Sequence, residues 1–340
     1  MNSTVPTSDN EEQFEGKWVC QIMTAEGVIG VLGNLLVCFV ILRAKCLHNL
    51  TNYLLVNLAV ADMLLCLHAF IYYLVTAEGC ALISFVPASQ GGRQIFCRLL
   101  ASRFSVRALS YASAYNLCVV TLERYVAIVH PLQYERKLTA TRMKTLITLI
   151  WMISFVLSLP ILFTIYPSDD PEQACSEITY PHQMFPLILN IGSFILGYLV
   201  PVTSMSLAYY KMQVTLKRQA KALRLQQARE AAYDLVIARQ RLVSVLTIVL
   251  GAFVILLTPG FVTYLLCLHP TANGPFSFCA SKYYRYTREI CNLAYYLNSV
   301  INPIIYEFKY KKFRKALKSA FCSCFKKHNR NRVDIAMVPL

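Results

Sequence analysis

Seven long stretches of apolar residues, each almost free of charge, constrain this 340-residue chain more than any other feature. A helix that crosses a bilayer needs about 20 mostly apolar residues, because lipid offers its backbone no hydrogen-bond partner. Trp18 to Leu42 carries one charge, Glu26, and Leu54 to Ala77 carries one, Asp62. Arg98 to Val129 is more polar, with an uncharged centre from Ala108 to Leu122. Thr145 to Ser168, Met184 to Tyr210 and Leu242 to Leu268 carry none. Ile290 to Tyr306 is shorter, and residues 282–289 extend it into the headgroup layer. Hydrophobic residues make up 56% of the chain and charged ones 15%. A soluble domain uses about 25% charged residues to cover its surface, so a globule in water is excluded. A β-barrel would show alternating segments of about 10 residues instead. The expected fold is an all-α membrane protein. A seven-transmembrane helix bundle spans 18–306, preceded by an N-terminal segment, 1–17. A short amphipathic eighth helix, 307–320, and a tail, 321–340, follow it. No charged n-region with a small-residue cleavage site precedes the first span, so no removable signal peptide is expected.

The basic residues orient the bundle. Segments 43–49, 130–144, 211–241 and 307–340 hold 2, 4, 8 and 10 Lys or Arg, 24 of the chain's 33. The alternate segments hold five, together with ten acids. The excess of Lys and Arg marks the cytoplasmic loops, which puts the N-terminus outside, at the plasma membrane for a surface protein. Asn2 in Asn2-Ser3-Thr4 then becomes an external glycosylation acceptor. Cys20, Cys80, Cys97, Cys175 and Cys279 fall on the outer side, where disulfides persist. Cys97 at the outer end of span three and Cys175 in the loop after span four are placed to tie that loop over the helix mouth. Five is an odd number, so one thiol stays free or pairs with Cys267; Cys20 with Cys279 is a further option. Cys322 and Cys324 follow the amphipathic segment on the inner side and suit palmitoylation.

Ionisable side chains inside a span are costly, which makes each a functional candidate. Asp62 is the sharpest. Span three brings Ser113 and span seven brings Asn298, Ser299 and Asn302. A carboxylate among neutral oxygens suits a hard cation such as sodium. The same set also serves as a hydrogen-bonded layer that holds helices together, and both readings stand. Glu123-Arg124-Tyr125 lies where span three meets the cytoplasm, so Arg124 can pair with Glu123 or turn to another acceptor when the helices part.

In order along the chain, one set per span, these residues form a pattern. Gly33-Asn34 stands in span one and Leu58-Ala59-Val60-Ala61-Asp62 in span two. Glu123-Arg124-Tyr125 closes span three, with His130-Pro131-Leu132 after it. Trp151 and Pro160 mark span four, Pro201 and Tyr209 span five, Phe253 and Pro259 span six. Asn298-Ser299-Val300-Ile301-Asn302-Pro303-Ile304-Ile305-Tyr306 closes span seven. Over nearly its whole length the chain resembles the rhodopsin-like (class A) G-protein-coupled receptors, in particular peptide receptors. That resemblance implies roles. Arg124 is the arginine that meets the C-terminal helix of a heterotrimeric G protein, with Glu123, Tyr125, Tyr209, Asn302, Pro303 and Tyr306 in the activation machinery. Asp62, Ser113, Asn298, Ser299 and Asn302 form the sodium pocket, the one metal site, and no other cofactor is implied. Four departures stand out. Leu257 occupies the usual tryptophan position in span six, and Ala114 replaces a bulky residue in span three. Arg239 and Arg241 begin span six where an acid often faces the arginine, so a loose resting state with basal signalling is expected. The run from Cys97 to Arg124 is longer than in most relatives, so a bulge is expected at the outer end of span three.

The ligand candidates are Arg103, Val106 and Arg107 on span three, Phe261 and Tyr264 on span six, and Arg288, Tyr295 and Tyr296 on span seven. Val106 replaces the aspartate of amine receptors and Tyr296 stands where opsins carry a lysine, so neither class is supported. Arg103 and Arg107, four apart on one face, can meet a ligand carboxylate or pair with Glu78 or Glu289. Asp169, Asp170, Glu172 and Glu177 around Cys175 form an acidic rim in a loop long enough for a hairpin. Acids at the rim and arginines beneath suit a peptide with basic residues and a free carboxyl group; a lipid or small acid is the rival ligand. The 211–241 stretch reads as helical extensions of spans five and six joined by a short turn, with basic faces for membrane lipids or the G protein. No paired catalytic carboxylates, no metal-spaced His and Cys set and no phosphate-cradling glycines support an enzyme, and no nucleic-acid partner is expected. A transporter would show internal repeats, and a non-signalling relative remains open beside the receptor.

Overall fold

A computed structural model describes residues 8–76, 87, 89–137, 139–168, 175–178, 184–225, 230–267, 277–309 and 313–319. Seven crossing helical segments form the bundle. Span one is α1 (Ser8–Arg43) and span two α2 (Leu50–Thr76). Span three comprises α3 (Gln90–Ile95), a π-helical turn (Phe96–Ala101) and α4 (Phe104–Val129). The short α5 (Pro131–Lys137) follows on the inner side. Span four is α6 (Ala140–Ser158) with a 3-10 turn (Leu159–Phe163). Span five joins α7 (Met184–Phe194), a π turn (Ile195–Leu199) and α8 (Val200–Leu225). Spans six and seven are α9 (Glu230–Leu266) and α10 (Lys282–Lys309). Residues 313–319 are again helical, with Phe313 and Ala316 buried against the bundle and Arg314, Lys315 and Lys318 exposed.

Several boundaries move from their expected places. The first helix starts at Ser8, well before Trp18. Span four stops short of Ser168: Pro160, lacking an N–H, tightens its last turn, and residues 165–167 become a strand. That strand, β1 (Ile165–Pro167), pairs antiparallel with β2 (Cys175–Glu177), and the disulfide between Cys97 and Cys175 pins the hairpin to the top of span three. A second disulfide joins Cys267 to Cys279, which corrects the Cys20–Cys279 option; Cys20 is itself disulfide-bonded. The bulge expected from the spacing is present. The π turn widens the helix at Phe96–Ala101, then Ser102 breaks it with an extended backbone at ψ 154°. The Phe104 N–H donates to Ser102 Oγ at 3.3 Å. One N–H of the restarted helix is thereby satisfied, although its N-cap residue, Arg103, makes no side-chain cap bond.

The spans pack by shape. A Cβ on Gly30 would lie 2.3 Å from Cys66 Sγ, and one on Gly27 would lie 2.9 Å from Phe70 Cβ. Glycines three apart on one face therefore let spans one and two approach as closely as small residues allow in lipid. Large apolar side chains such as Leu32, Ile188, Leu207 and Ile255 point outward, as a lipid-facing surface requires. The inner half of the core is filled by Leu54, Leu58, Val120, Met205, Met212, Leu216 and Val243. Five of the seven spans are apolar enough to cross a membrane on composition alone. The other two, three and seven, contribute most of the polar side chains that follow.

Candidate functional site

A polar layer crosses the bundle midway. Asp62 of α2 is fully buried. Ser113 Oγ donates to its Oδ1 at 2.6 Å and Ser299 Oγ to the same oxygen at 2.8 Å. Asn302 Nδ2 donates to Oδ2 at 2.8 Å. Asn34 ties in span one by donating to the Ser299 carbonyl at 3.1 Å and the Gly30 carbonyl at 2.9 Å. Spans two, three and seven thus meet at one carboxylate, and span one joins them through the Ser299 carbonyl. Asn298 makes no hydrogen bond to Asp62 and lines the cavity above. A carboxylate flanked by two rotatable hydroxyls fits a small hard cation in donor chemistry. A second junction, invisible in the sequence reading, ties spans two, three and four. Trp151 Nε1 donates to Asn57 Oδ1 at 3.0 Å, and Asn57 Nδ2 donates to Asn116 Oδ1 at 2.6 Å.

At the end of the bundle expected to lie in the cytoplasm, the carboxylate of Glu123 is almost wholly buried and gathers four hydrogen bonds. Arg124 binds it twice, Nε to Oε2 at 2.5 Å and Nη2 to Oε1 at 3.0 Å. Thr51 Oγ1 donates to Oε1 at 2.9 Å and Tyr134 Oη donates at 2.5 Å. Burial, with the Glu123 carboxylate alongside, pushes the Tyr134 phenol up to about 12, so it stays a donor at physiological pH. Among the described residues, the carboxylate partner of Arg124 comes from its own helix and none comes from span six. Tyr209, placed by resemblance in the activation machinery, hydrogen-bonds Thr121 at 2.7 Å, one turn from Arg124. Tyr125 packs edge-on against His130 with ring centroids 5.7 Å apart. Pro303 is buried inside α10, and the side chain of Tyr306 lies outside what is described. Thr51 and Tyr134 carried no signal beyond being polar residues near an interface.

At the end of the bundle expected to lie outside, a cavity of about 650 Å³ opens between spans two, three, five, six and seven. Arg103, Val106 and Arg107 line it from span three; Phe261 and Tyr264 from α9; Arg288, Tyr295 and Tyr296 from α10. The structure therefore gathers all eight sequence candidates at one site. Arg107 is held by Ser193 of span five. Arg103 is exposed; its carbonyl accepts from the Arg107 N–H at 3.0 Å, and its guanidinium makes no hydrogen bond or salt bridge to any described residue. Glu289 is taken by Arg288, Nη2 to Oε1 at 3.3 Å, so it does not serve Arg103 or Arg107. Glu78, Asp169, Asp170 and Glu172 lie outside the described residues, as do Asn2, Cys322 and Cys324.

Two features of the cavity wall were not read from the sequence. Ser110 and Tyr295 are hydrogen-bonded across it, Ser110 also donating to the Val106 carbonyl at 2.8 Å. The ring nitrogens of His68 are buried without a hydrogen-bond partner, although the Leu100 backbone lies nearby. Beside the cavity, spans five and six are joined by aromatic rings. Tyr198 stacks on Phe194 at 5.6 Å and on Phe253 at 6.2 Å, and meets Phe261 at 5.1 Å. Its hydroxyl bonds Thr258, which in turn donates to the Val254 carbonyl at 2.5 Å, immediately before Pro259. Tyr198 reaches this position because the π turn rotates it inward. Tyr115 stabilises that turn by donating to the Leu196 carbonyl at 3.1 Å.

A seven-span helix bundle with a cavity at one end, a buried carboxylate layer midway and an Arg124–Glu123 pair at the other has the architecture of a membrane receptor. The chain belongs to the 7 transmembrane receptor (rhodopsin family), whose family model matches residues 33–306. Among curated relatives it is 30% identical to neuromedin-U receptor 2 of Rattus norvegicus, over 90% of this chain and 75% of that one. It is 31% identical to trace amine-associated receptor 7e of Rattus norvegicus (86% and 78%) and 29% identical to somatostatin receptor type 4 of the same species (87% and 70%). The chain is therefore a multi-pass membrane protein of a receptor family, not of an enzyme family.

Proposed function

We propose that the chain is a cell-surface receptor, N-terminus outside, that takes an extracellular peptide in the outer cavity and promotes nucleotide exchange on a heterotrimeric G protein. One observation carries this reading. The helices that line the cavity also hold Asp62. From Ser113 beside it, span three runs unbroken to Arg124, about 16 Å of helix rise. A ligand that favours one arrangement of spans three, six and seven thereby biases the inner lock, and does so only by binding the open arrangement better. Arg103 and Arg107 would receive the peptide's carboxyl group, and the acidic rim would steer its basic residues. Val106 presents no carboxylate to an amine, so the amine named for some relatives is not carried over. The free guanidinium of Arg103 equally favours a small acid as the second reading.

Asp62, Ser113, Asn298, Ser299 and Asn302 would hold a sodium ion, which would neutralise the buried carboxylate and favour the resting arrangement. Asn2 would carry a glycan, Cys322 and Cys324 palmitate, and the basic faces of 211–241 would meet anionic lipid or the G protein. Nucleotide exchange measured across G-protein classes tests the reading. At equal surface expression, Arg124→Ala should bring exchange down to that of receptor-free membranes. Native exchange indistinguishable from such membranes, with every ligand class tried, would leave a receptor-shaped protein that does not signal.

A further inference from the structure

The cavity reaches deeper than its arginines. Its lining includes Ala114, Phe253, Leu257 and Ser299 as well as Arg103 near the mouth. From Arg103 to Ala114, span three rises about 16 Å. Tyr264 to Phe253 in span six and Arg288 to Ser299 in span seven cover the same interval, so three helices agree on the depth. Spread over that depth, a volume of about 650 Å³ leaves a narrow shaft for a single ring or chain beside the Ser110–Tyr295 pair that crosses it. The room at the bottom comes from side-chain size. Ala114 has no atoms beyond Cβ, and Leu257 is much smaller than an indole. The floor is therefore apolar at Ala114, Leu257 and Phe253, and polar only at Ser113, Asn298 and Ser299.

We infer a second, deep subsite in this cavity, which takes the apolar end of a ligand whose carboxylate rests on Arg103 and Arg107. The inference rests on the proposed outward-facing cavity and adds the ligand's shape: an anion with an apolar tip about 10 Å away, the rise from Arg107 to Ala114. Such a tip would touch Phe253 of the Tyr198 cluster and lie beside two of the hydroxyls that bind Asp62. Ligand contact would thus bear directly on the polar layer, without an intervening tryptophan. A peptide ending in a large apolar residue and an aryl or alkyl carboxylic acid share this chemistry.

Cysteine accessibility in the full-length receptor tests the subsite without a known ligand. In a Cys291→Ser background, which removes a native thiol from the cavity wall, Ala114→Cys, Leu257→Cys and Arg103→Cys are exposed from outside to sulfonatoethyl and trimethylammonioethyl methanethiosulfonates. Relative to each reagent's rate with mercaptoethanol, the anion should modify Cys at 114 about tenfold faster than the cation, and Arg107→Gln should reduce that preference. Leu257→Cys approaches from another helix, so loss of one variant at the surface leaves the test intact. 6-Phenylhexanoate should slow modification at 114, whereas 6-phenylhexylamine should not. Slowing by Gly-Gly-Phe but not by its amide would assign the shared chemistry to a peptide terminus; slowing by phenylhexanoate alone would assign it to a small acid. Reaction at 103 with none at 114 or 257 would overturn the subsite and leave the cavity standing. Failure at all three would overturn the outward-facing cavity itself, and equal protection by the amine would overturn the requirement for an anion.

Discussion

Glu123→Gln is expected to raise basal nucleotide exchange about tenfold at equal surface expression. The Glu123 carboxylate is the hub of the inner lock, with two bonds from Arg124 and one each from Thr51 and Tyr134. Glutamine keeps a carbonyl oxygen for Thr51 or Tyr134 but loses the charge that holds Arg124. Removing one partner of a fully buried pair costs about 3–5 kcal/mol. Here the side chain of Arg124 is 21% exposed and can swing toward water, so the full penalty does not apply. A charge-assisted hydrogen bond contributes about 1.5–3 kcal/mol, and about 1.4 kcal/mol shifts a two-state population tenfold. Tyr134→Phe removes one donor and leaves the ion pair, so its effect should be smaller, about fivefold for about 1 kcal/mol. Because no acid of span six completes the lock among the described residues, native exchange should itself stand above that of receptor-free membranes. Unchanged exchange in Glu123→Gln at matched expression would contradict the role of this pair.

Asp62→Asn is expected to abolish the response of basal exchange to sodium and to lower thermal stability. Three donors converge on the Asp62 carboxylate. An asparagine offers one carbonyl and turns an N–H₂ toward a neighbour that is itself a donor. At least one buried donor is then left unpaired, at about 1–3 kcal/mol, which corresponds to a midpoint lower by about 5 °C. Replacing sodium with N-methyl-D-glucamine should raise exchange by the native receptor, since the cation favours the resting arrangement. The same replacement should leave Asp62→Asn flat. A sodium response that survives in Asp62→Asn would remove the ion from this layer, and unchanged stability would show that the three bonds contribute little.

Asp62, Glu123 and Arg124 were legible in the sequence because a charge in hydrocarbon is so costly that its position reports a buried partner or an interface. The π turn above Arg103 was legible as a count of residues between Cys97 and Arg124. What stayed hidden depends on helix rotation. Asn57, Asn116 and Trp151 come together from three different spans, and Tyr198 of span five meets Thr258 of span six. A span apolar on all sides has no periodicity that fixes which side faces its neighbour, so such pairs could not be read. Tyr209 shows the same gap at finer scale: its span and depth were clear, its partner Thr121 was not. Cysteine parity could not choose Cys267 over Cys20 as the partner of Cys279. Ala114 and Leu257 were read as departures that put the link from cavity to cytoplasm in question. In the structure the aromatic cluster around Tyr198 stands beside that gap, and the space left open becomes the floor of the cavity.

The central claim is that one two-position arrangement of the bundle links the polar layer, the inner lock and span six. The distance between spectroscopic probes on exposed Thr145 of span four and Arg241 of span six reports it most directly. Glu123→Gln and Asp62→Asn, which touch different layers, should move population into the same longer distance, in the order of their basal exchange. Higher exchange from either variant with an unaltered distance distribution would show that the two layers do not act on a common movement of span six.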